Sequence, residues 1–206
     1  MMNKAKGPVW HQKQKQQGII PKGLCGIDKQ ATWCKSKASG WVYGHGSFSL
    51  TSHEHPILGC FIWMPNSANE SKRMWLETSH LKGKAKYVAM DSKADDADLF
   101  REFKRQRKLN MITYCRTNMD KTPVRKKMIA FMNKPKHKKI YRQRAYKVEP
   151  MQGLVKDIFE LDRCWMRGSE NNRWLFAAMG VAVQMHQFEA FKQGKSTWNI
   201  KERVLG

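Results

Sequence analysis

Short apolar runs that alternate with helical patterns are the feature of this sequence that most limits its possible folds. Residues 41–50 and 57–64 are rich in aromatic and β-branched side chains, and the polar residues 51–56 separate them, which predicts two antiparallel strands. Residues 87–90 and 111–115 are shorter apolar runs, typical of buried strands. Because helical patterns separate the later strands, we predict an α/β fold whose partly parallel sheet is covered on both faces.

Helices are predicted where apolar side chains recur at helical spacing. These segments are residues 71–81, 95–108, 124–132 and 146–165. One more helix is predicted from Trp174 to about Lys192, since the longest charge-free run, Trp174 to Phe188, has 15 residues. A membrane span needs about 20 apolar residues, so we expect this run to form a buried core helix.

The charge balance points to a polyanionic partner. Lys and Arg number 39 against 17 Asp and Glu, a formal net charge of +22. Such an excess repels itself unless it is neutralised, and nucleic acid is the commonest neutralising partner. The alternative is a merely basic protein, such as a ribosome-associated one. No acid occurs in residues 134–144, which favours contact with a DNA backbone over a solvated loop.

The cysteine pattern indicates the compartment. The chain has five cysteines, an odd number, and none lies in a Cys-X-X-Cys pair. The pattern is typical neither of a zinc knuckle nor of a disulfide framework. It predicts a reducing cytosol.

Two acidic residues, Asp91 and Glu149, are candidate functional residues because of their positions in the predicted α/β fold. Asp91 directly follows the strand predicted at residues 87–90, and open α/β sheets place their sites at the carboxyl ends of strands. A helix cap or a solvated loop acid is the alternative. Glu149 precedes Pro150, which places it at a helix start or a kink, where an ordinary acid is also common. Lys156 lies seven residues later, on the same helix face about two turns away.

These residues resemble the tyrosine–arginine–glutamate–lysine signature of DDE transposases from bacterial insertion sequences. Tyr141 and Arg144 keep the family spacing of two intervening residues, and Glu149 and Lys156 keep the spacing of six. Four residues separate Arg144 from Glu149, one more than in the family pattern.

Three further segments are similar to the same family. Residues 26–33 (GIDKQATW), together with 40–44 (GWVYG), resemble the stretch after the first acid in the insertion-sequence-four-like group. Residues 87–91 (YVAMD) resemble the strand that ends in the second acid, and residues 167–171 (RGSEN) resemble the closing segment. The resemblance covers about residues 8–190.

The resemblance implies a ribonuclease-H-like fold, a mixed sheet flanked by helices. The family's first acid lies on the first, central strand, which would precede this chain, so the chain alone is expected to lack that strand and to be inactive. Asp28 is not expected to replace this acid. The implied organisation is a basic loop or arm over residues 1–40, a catalytic domain over 41–192 with a basic insertion at 116–140, and a tail at 193–206.

The function implied by the resemblance is DNA transposition. Asp91 and Glu149 would be the catalytic acids and the ligands of Mg²⁺ or Mn²⁺, and the enzyme would cleave element ends and join them to target DNA, with room for a homodimer on DNA. The implied location is the bacterial cytoplasm, on the nucleoid and not in a membrane. A non-catalytic, basic nucleic-acid-binding remnant of a transposase is the alternative. The implied DNA contacts are Lys134, Lys136, Lys138, Lys139, Tyr141, Arg142, Arg144 and Lys156.

Overall fold

The computed structural model describes residues 2–4, 28–36, 40–55, 57–68, 70–116, 122–161 and 165–205. Within these residues the chain is a mixed α/β protein that divides into two compact units. The first unit contains Met1–Ala68 and Met151–Gly206, and the second unit contains Asn69–Pro150. No helix in the described part of the chain is long and apolar enough to cross a membrane.

The strands and helices are numbered here in chain order. The strands are β1 Met2–Lys4, β2 Thr32–Ser36, β3 Gly40–Thr51, β4 Leu58–Pro65, β5 Tyr87–Ala89 and β6 Asn110–Ile112. The helices are α1 Glu70–Glu77, α2 Ala97–Glu102, α3 Pro123–Asn133, α4 Pro135–Lys147, α5 Glu149–Ile158, α6 Ser169–Lys192 and α7 Lys201–Leu205. Short 3-10 turns cover Ser79–Leu81 and Ser92–Ala94, and the π-helical turn Phe103–Arg107 continues α2.

An antiparallel sheet of four strands forms the base of the first unit. Strand β3 pairs with β1, β2 and β4, and its residues 42–48 are all buried. Continuous burial of this kind requires cover on both faces of a strand. The predicted hairpin of residues 41–50 and 57–64 is confirmed, with Phe48 opposite Ile62 in the β3–β4 pairing.

The prediction of a loop or arm over residues 1–40 is wrong at two places, because β1 and β2 both pair with β3. The sequence of β2, Thr-Trp-Cys-Lys-Ser, has too few apolar residues to indicate a strand. Its pairing partner holds it instead, since the ring of Trp33 packs against that of Tyr43 with centroids 5.1 Å apart. Residues 5–27 and 37–39 of this predicted arm lie outside the described residues.

Helix α6 packs one face against β4 and builds the core of the first unit. A Cβ on Gly180 would lie 3.0 Å from the Cβ of Phe61, so glycine is what allows this close approach. Full burial of one large apolar side chain stabilises a fold by about 1.5–3 kcal/mol. The buried core residues are Leu58, Phe61, Trp63, Met151, Val155, Ile158, Leu161, Phe176, Met179, Val183, Ala190 and Ile200.

The charge-free run was expected to form a buried core helix. The helix is confirmed, but the expected burial on all sides is wrong. Residues 174–188 lie within α6, as predicted. The face of α6 opposite the core is exposed, however, and includes Trp174 and Met185. Both faces of α6 are apolar, so the sequence pattern could not distinguish the buried face from the exposed one.

The second unit contains a parallel pair of strands, in which Val88 of β5 lies opposite Met111 of β6. Residues 87–90 and 111–115 are thereby confirmed as strands to within three residues at each end. The strands of the described residues form two separate sheets, so the partly parallel sheet is confirmed only for β5 and β6. The core of this unit includes Met74, Val88, Phe103, Leu109, Met111, Ile112, Met128 and Met132.

The predicted basic insertion, residues 116–140, is largely helical in its described part. Helices α3 and α4 each have a proline in the first turn, where a missing N–H costs nothing. The Thr122 side chain caps α3 by accepting a hydrogen bond from Arg125 N at 3.3 Å. The run at residues 134–144 is therefore part of a helix and not a solvated loop.

The helix predicted over residues 146–165 is divided and shorter. Helix α4 ends at Lys147, and α5 runs from Glu149 to Ile158. Pro150 explains the division, because it has no N–H to donate to the carbonyl of Tyr146 and its ring would clash there. This division places Glu149 at the start of a helix, as predicted.

Candidate nucleic-acid-binding site

The parallel strands of the second unit end side by side. Asp91 follows β5 and Tyr114 follows β6, so both lie at the carboxyl edge of the pair. Thr113 Oγ1 donates a hydrogen bond of 2.6 Å to the Asp91 carbonyl and joins the two strand ends. The Asp91 carboxylate accepts from Lys93 N at 2.9 Å, so Asp91 also caps the turn that follows it.

Tyr141 of α4 packs onto this edge. Its ring meets that of Tyr114 nearly edge to face, with centroids 4.5 Å apart and planes at 74°. Burial raises the pKa of the Tyr141 phenol, Arg144 opposes this by its charge and a hydrogen bond, and the charge of Asp91 raises the pKa further. The phenol is therefore neutral at pH 7.

Arg144 connects Tyr141 to Glu149. Its guanidinium carbon lies 5.4 Å from the centroid of the Tyr141 ring, and its Nη2 donates to Glu149 Oε1 at 3.0 Å. The break between α4 and α5 lets this pair form despite the extra residue in the spacing. The buried Nε of Arg144 has no hydrogen-bond partner among the described residues.

The second unit thus brings together four residues that the resemblance selected: Asp91, Tyr141, Arg144 and Glu149. Tyr141, Arg144 and Glu149 are in contact in that order. Asp91 is joined to Tyr141 indirectly, through Thr113 and Tyr114 at the end of the parallel strands. Lys156, the fifth residue, lies on the part of α5 that belongs to the first unit. We therefore describe the cluster of the second unit without it, and name it the strand-end cluster.

One face of α4 presents the basic run to solvent. His137 anchors the opposite face, because its Nδ1 donates to Phe131 O at 2.6 Å and its ring lies 3.9 Å from the Phe131 ring. The exposed side chains of this basic face are Lys134, Lys136, Lys139 and Arg142, and Lys138 is partly buried. A helix face with this charge suits the phosphates of a nucleic acid.

A buried ion pair supports the strand end, and sequence reasoning missed it. Asp95 is the first residue of the helix predicted over 95–108, but its carboxylate is fully buried and pairs with the guanidinium of Arg125. Asp95 Oδ2 also accepts from Arg116 N at 2.5 Å, two residues after Tyr114. Asp96 is the acid that caps α2, through hydrogen bonds from the N–H groups of residues 98 and 99. Asp95 and Arg125 are thirty positions apart in the sequence, and no local pattern indicates such a pair.

The acids of this cluster do not fit the implied metal site. Two ions about 4 Å apart need carboxylates that hold both. No group of three or more His, Cys, Asp and Glu side chains within the described residues could hold a metal ion. Glu149 is paired with Arg144, and Asp91 caps a turn. We therefore derive no reaction step through Mg²⁺ or Mn²⁺.

The other family-like segments meet in the first unit, around Asp28. The buried Asp28 carboxylate accepts hydrogen bonds from His45 Nε2 at 2.7 Å, Gly168 N at 2.8 Å and Gln30 N at 3.0 Å. Gly168 precedes the first residue of α6, so Asp28 satisfies a backbone donor at the start of that helix. Tyr43 joins the same place, because its hydroxyl donates to the Asp28 carbonyl at 2.6 Å. The described residues of 26–33 thus contact both 40–44 and 167–171.

His45 extends this arrangement to β4. Trp63 Nε1 donates to His45 Nδ1 at 3.0 Å, and an indole nitrogen can only donate. The His45 proton is therefore on Nε2, from which it is donated to Asp28. Asp28 thus has a structural role, since its carboxylate accepts hydrogen bonds from three separate parts of the first unit.

Comparison of the chain with family models, with curated proteins and with solved structures found no match. The resemblance to DDE transposases therefore rests on the quoted sequence segments alone.

Proposed function

We propose that this chain binds duplex DNA through its second unit, as the DNA-binding part of a DDE-transposase-like enzyme of bacterial insertion sequences. One observation carries the proposal. Tyr141, Arg144 and Glu149, which the family signature selects, contact one another beside the basic face of α4, at the strand end that carries Asp91 of a second family-like segment. The combination gives a protein of +22 charge a defined place to hold phosphates.

The proposed contacts follow from the chemistry of the side chains. Lys136, Lys139 and Arg142 supply charge to the DNA backbone without reading its sequence. Arg144 is a member of the strand-end cluster, and its guanidinium can form a two-pronged contact with a phosphate. Element ends and target DNA are the proposed substrates, and the bacterial cytoplasm, on the nucleoid, is the proposed location.

Strand cleavage and transfer remain a prediction taken from the resemblance. Asp91 and Glu149 are the acids that this prediction requires, and they do not complete a metal site within the described residues. The alternative is a non-catalytic remnant that keeps DNA binding alone. Mg²⁺-dependent nicking of duplex DNA by the chain would exclude this alternative.

The first prediction is that binding to duplex DNA depends steeply on salt and little on sequence. Each phosphate contact contributes about −0.9 to the slope of log affinity against log salt, so about four contacts lower affinity roughly 100-fold between ~50 and ~200 mM. Fluorescence anisotropy with labelled duplexes measures this slope. Two duplexes of unrelated sequence serve as the control and should bind equally. An affinity that does not change over this salt range would show that phosphates do not carry the binding.

A further inference from the structure

Helix α6 has a second apolar stripe, on the side that faces away from its own core. Trp174 is 73% exposed, Val181 52%, Met185 67% and Phe188 55%. Ala178 lies between the first two and is also exposed. Together with Lys192, these residues follow one another at intervals of four, three, four, three and four positions. The stripe is about 27 Å long at 1.5 Å per residue.

The described core of the first unit does not include this stripe. The core side of α6 is formed by a different set: Asn172, Phe176, Met179, Gly180, Val183, Gln187 and Ala190 are the buried residues of the helix. Twelve large apolar side chains are exposed within the described residues, and five of them are on α6. A concentration of this kind on one helix marks an interaction surface more than a scatter of single exposed residues does.

The spacing indicates what kind of partner fits. Alternating intervals of three and four residues average 3.5, the repeat of a helix that packs lengthwise against another helix. No other described helix has more than one large exposed apolar side chain, so α6 itself is the best match among the described helices. The same helix on a second copy would give a symmetric contact.

The distribution of charge favours a second copy of this chain, and not a nucleic acid, as the partner of the stripe. The chain carries +22, so two copies repel one another over most of their surfaces. Residues 174–188 of α6 contain no charged side chain, which removes that repulsion along the stripe. Lys192, at one end, is the single charged side chain of the stripe, so the stripe offers only one group that could bind a phosphate.

We propose that two copies of this chain associate through this stripe, with their α6 helices antiparallel. In that arrangement, knobs-into-holes packing sets Ala178 opposite Phe188 of the second copy, a small side chain against a large one. Val181 then faces Met185, and Lys192 lies over Trp174 of the second copy, where a cation is attracted to the indole face. Parallel helices would instead place Lys192 of one copy beside Lys192 of the other.

Sedimentation velocity tests this proposal on the full chain, after nuclease treatment and at about 0.5 M salt to suppress repulsion and bridging by DNA. The wild type should sediment as a dimer, a species with twice the 24.1 kDa mass of one chain. Val181→Glu with Met185→Glu should sediment as a monomer with an unchanged thermal midpoint, because both side chains are exposed in one copy. Leu76→Glu, which changes an exposed leucine of the second unit, is the matched control and should remain a dimer.

The direction of the helices has its own test. Trp174→Lys would place two lysines together in the antiparallel pair, whereas Trp174→Glu would place a glutamate beside Lys192 of the second copy. The lysine variant should therefore dissociate at higher protein concentration than the glutamate variant, and equal dissociation would overturn the antiparallel arrangement. A wild type that stays monomeric up to ~100 µM, or a double variant that stays dimeric, would overturn the surface itself.

Discussion

Replacement of Arg125 by methionine should lower the free energy of unfolding of the second unit by about 3–5 kcal/mol, the usual cost of leaving one partner of a buried ion pair uncompensated. Both side chains of the pair are buried, and Asp95 Oδ1 has no hydrogen-bond partner among the described residues. Without Arg125, the Asp95 carboxylate would keep the Arg116 N–H as its neutral donor. Hydrogen exchange of the amides in residues 69–150 measures the loss.

Two further variants show whether the charge or the packing is responsible. Asp95→Asn combined with Arg125→Met removes both charges and keeps an acceptor for Arg116 N, so it should recover much of the loss. Arg101→Ala removes an arginine from an exposed ion pair with Asp98 and should leave exchange unchanged. If the double variant is as unstable as Arg125→Met, lost packing and not the unpaired charge is the cause.

Replacement of Asp28 by alanine should lower the free energy of unfolding of the first unit by about 2–4 kcal/mol. The change removes the acceptor of three hydrogen bonds, and one of the donors, His45 Nε2, is fully buried. Each buried donor left without a partner costs about 1–3 kcal/mol. Asp157→Ala, an exposed acid of the same unit, is the control for the loss of one negative charge.

The hydrogen bonds to the Asp28 carboxylate also predict how the stability of the first unit depends on pH. Burial raises the pKa of Asp28, but the hydrogen bonds from His45, Gly168 and Gln30 outweigh it and hold the pKa below the ordinary value of 3.8. A lowered folded pKa stabilises the fold above the unfolded pKa, and this stabilisation is lost as pH falls below about 4. The free energy of unfolding of the wild type should therefore fall between pH 4 and pH 2. It should fall less in Asp28→Ala, which lacks this carboxylate. Identical acid profiles would mean that the carboxylate is not held in this way.

Local sequence patterns predicted the parts of the fold that depend on local physics. The β3–β4 hairpin followed from two apolar runs around a polar turn, and the strands at residues 87–90 and 111–115 followed from short apolar runs. Strand β2 was missed because pairing with β3, and not its own composition, makes it a strand. The exposed face of α6 was missed because a pattern that is apolar all round predicts full burial.

The candidate site likewise contains some residues that the sequence could select and others that it could not. The spacing of Tyr141, Arg144 and Glu149 selected residues that prove to be in contact, even with one extra residue in the chain. Tyr114, Asp95 and Arg125 could not be selected, because their roles depend on contacts between residues 27 to 30 positions apart. The metal ligands implied by the resemblance require a third acid, which the described residues do not bring to Asp91 and Glu149.

The most direct test of the account compares two sets of charge removals in the DNA-binding assay. Lys136→Gln, Lys139→Gln and Arg142→Gln together remove three charges from the basic face of α4, and Lys29→Gln, Lys195→Gln and Lys201→Gln remove three exposed charges from the first unit. If α4 holds the DNA backbone, the first set should reduce the salt slope by about 2.7 and the affinity at least tenfold, and the second set should change both little. Equal losses from the two sets would contradict the account, since they would show that net charge binds DNA without a defined site.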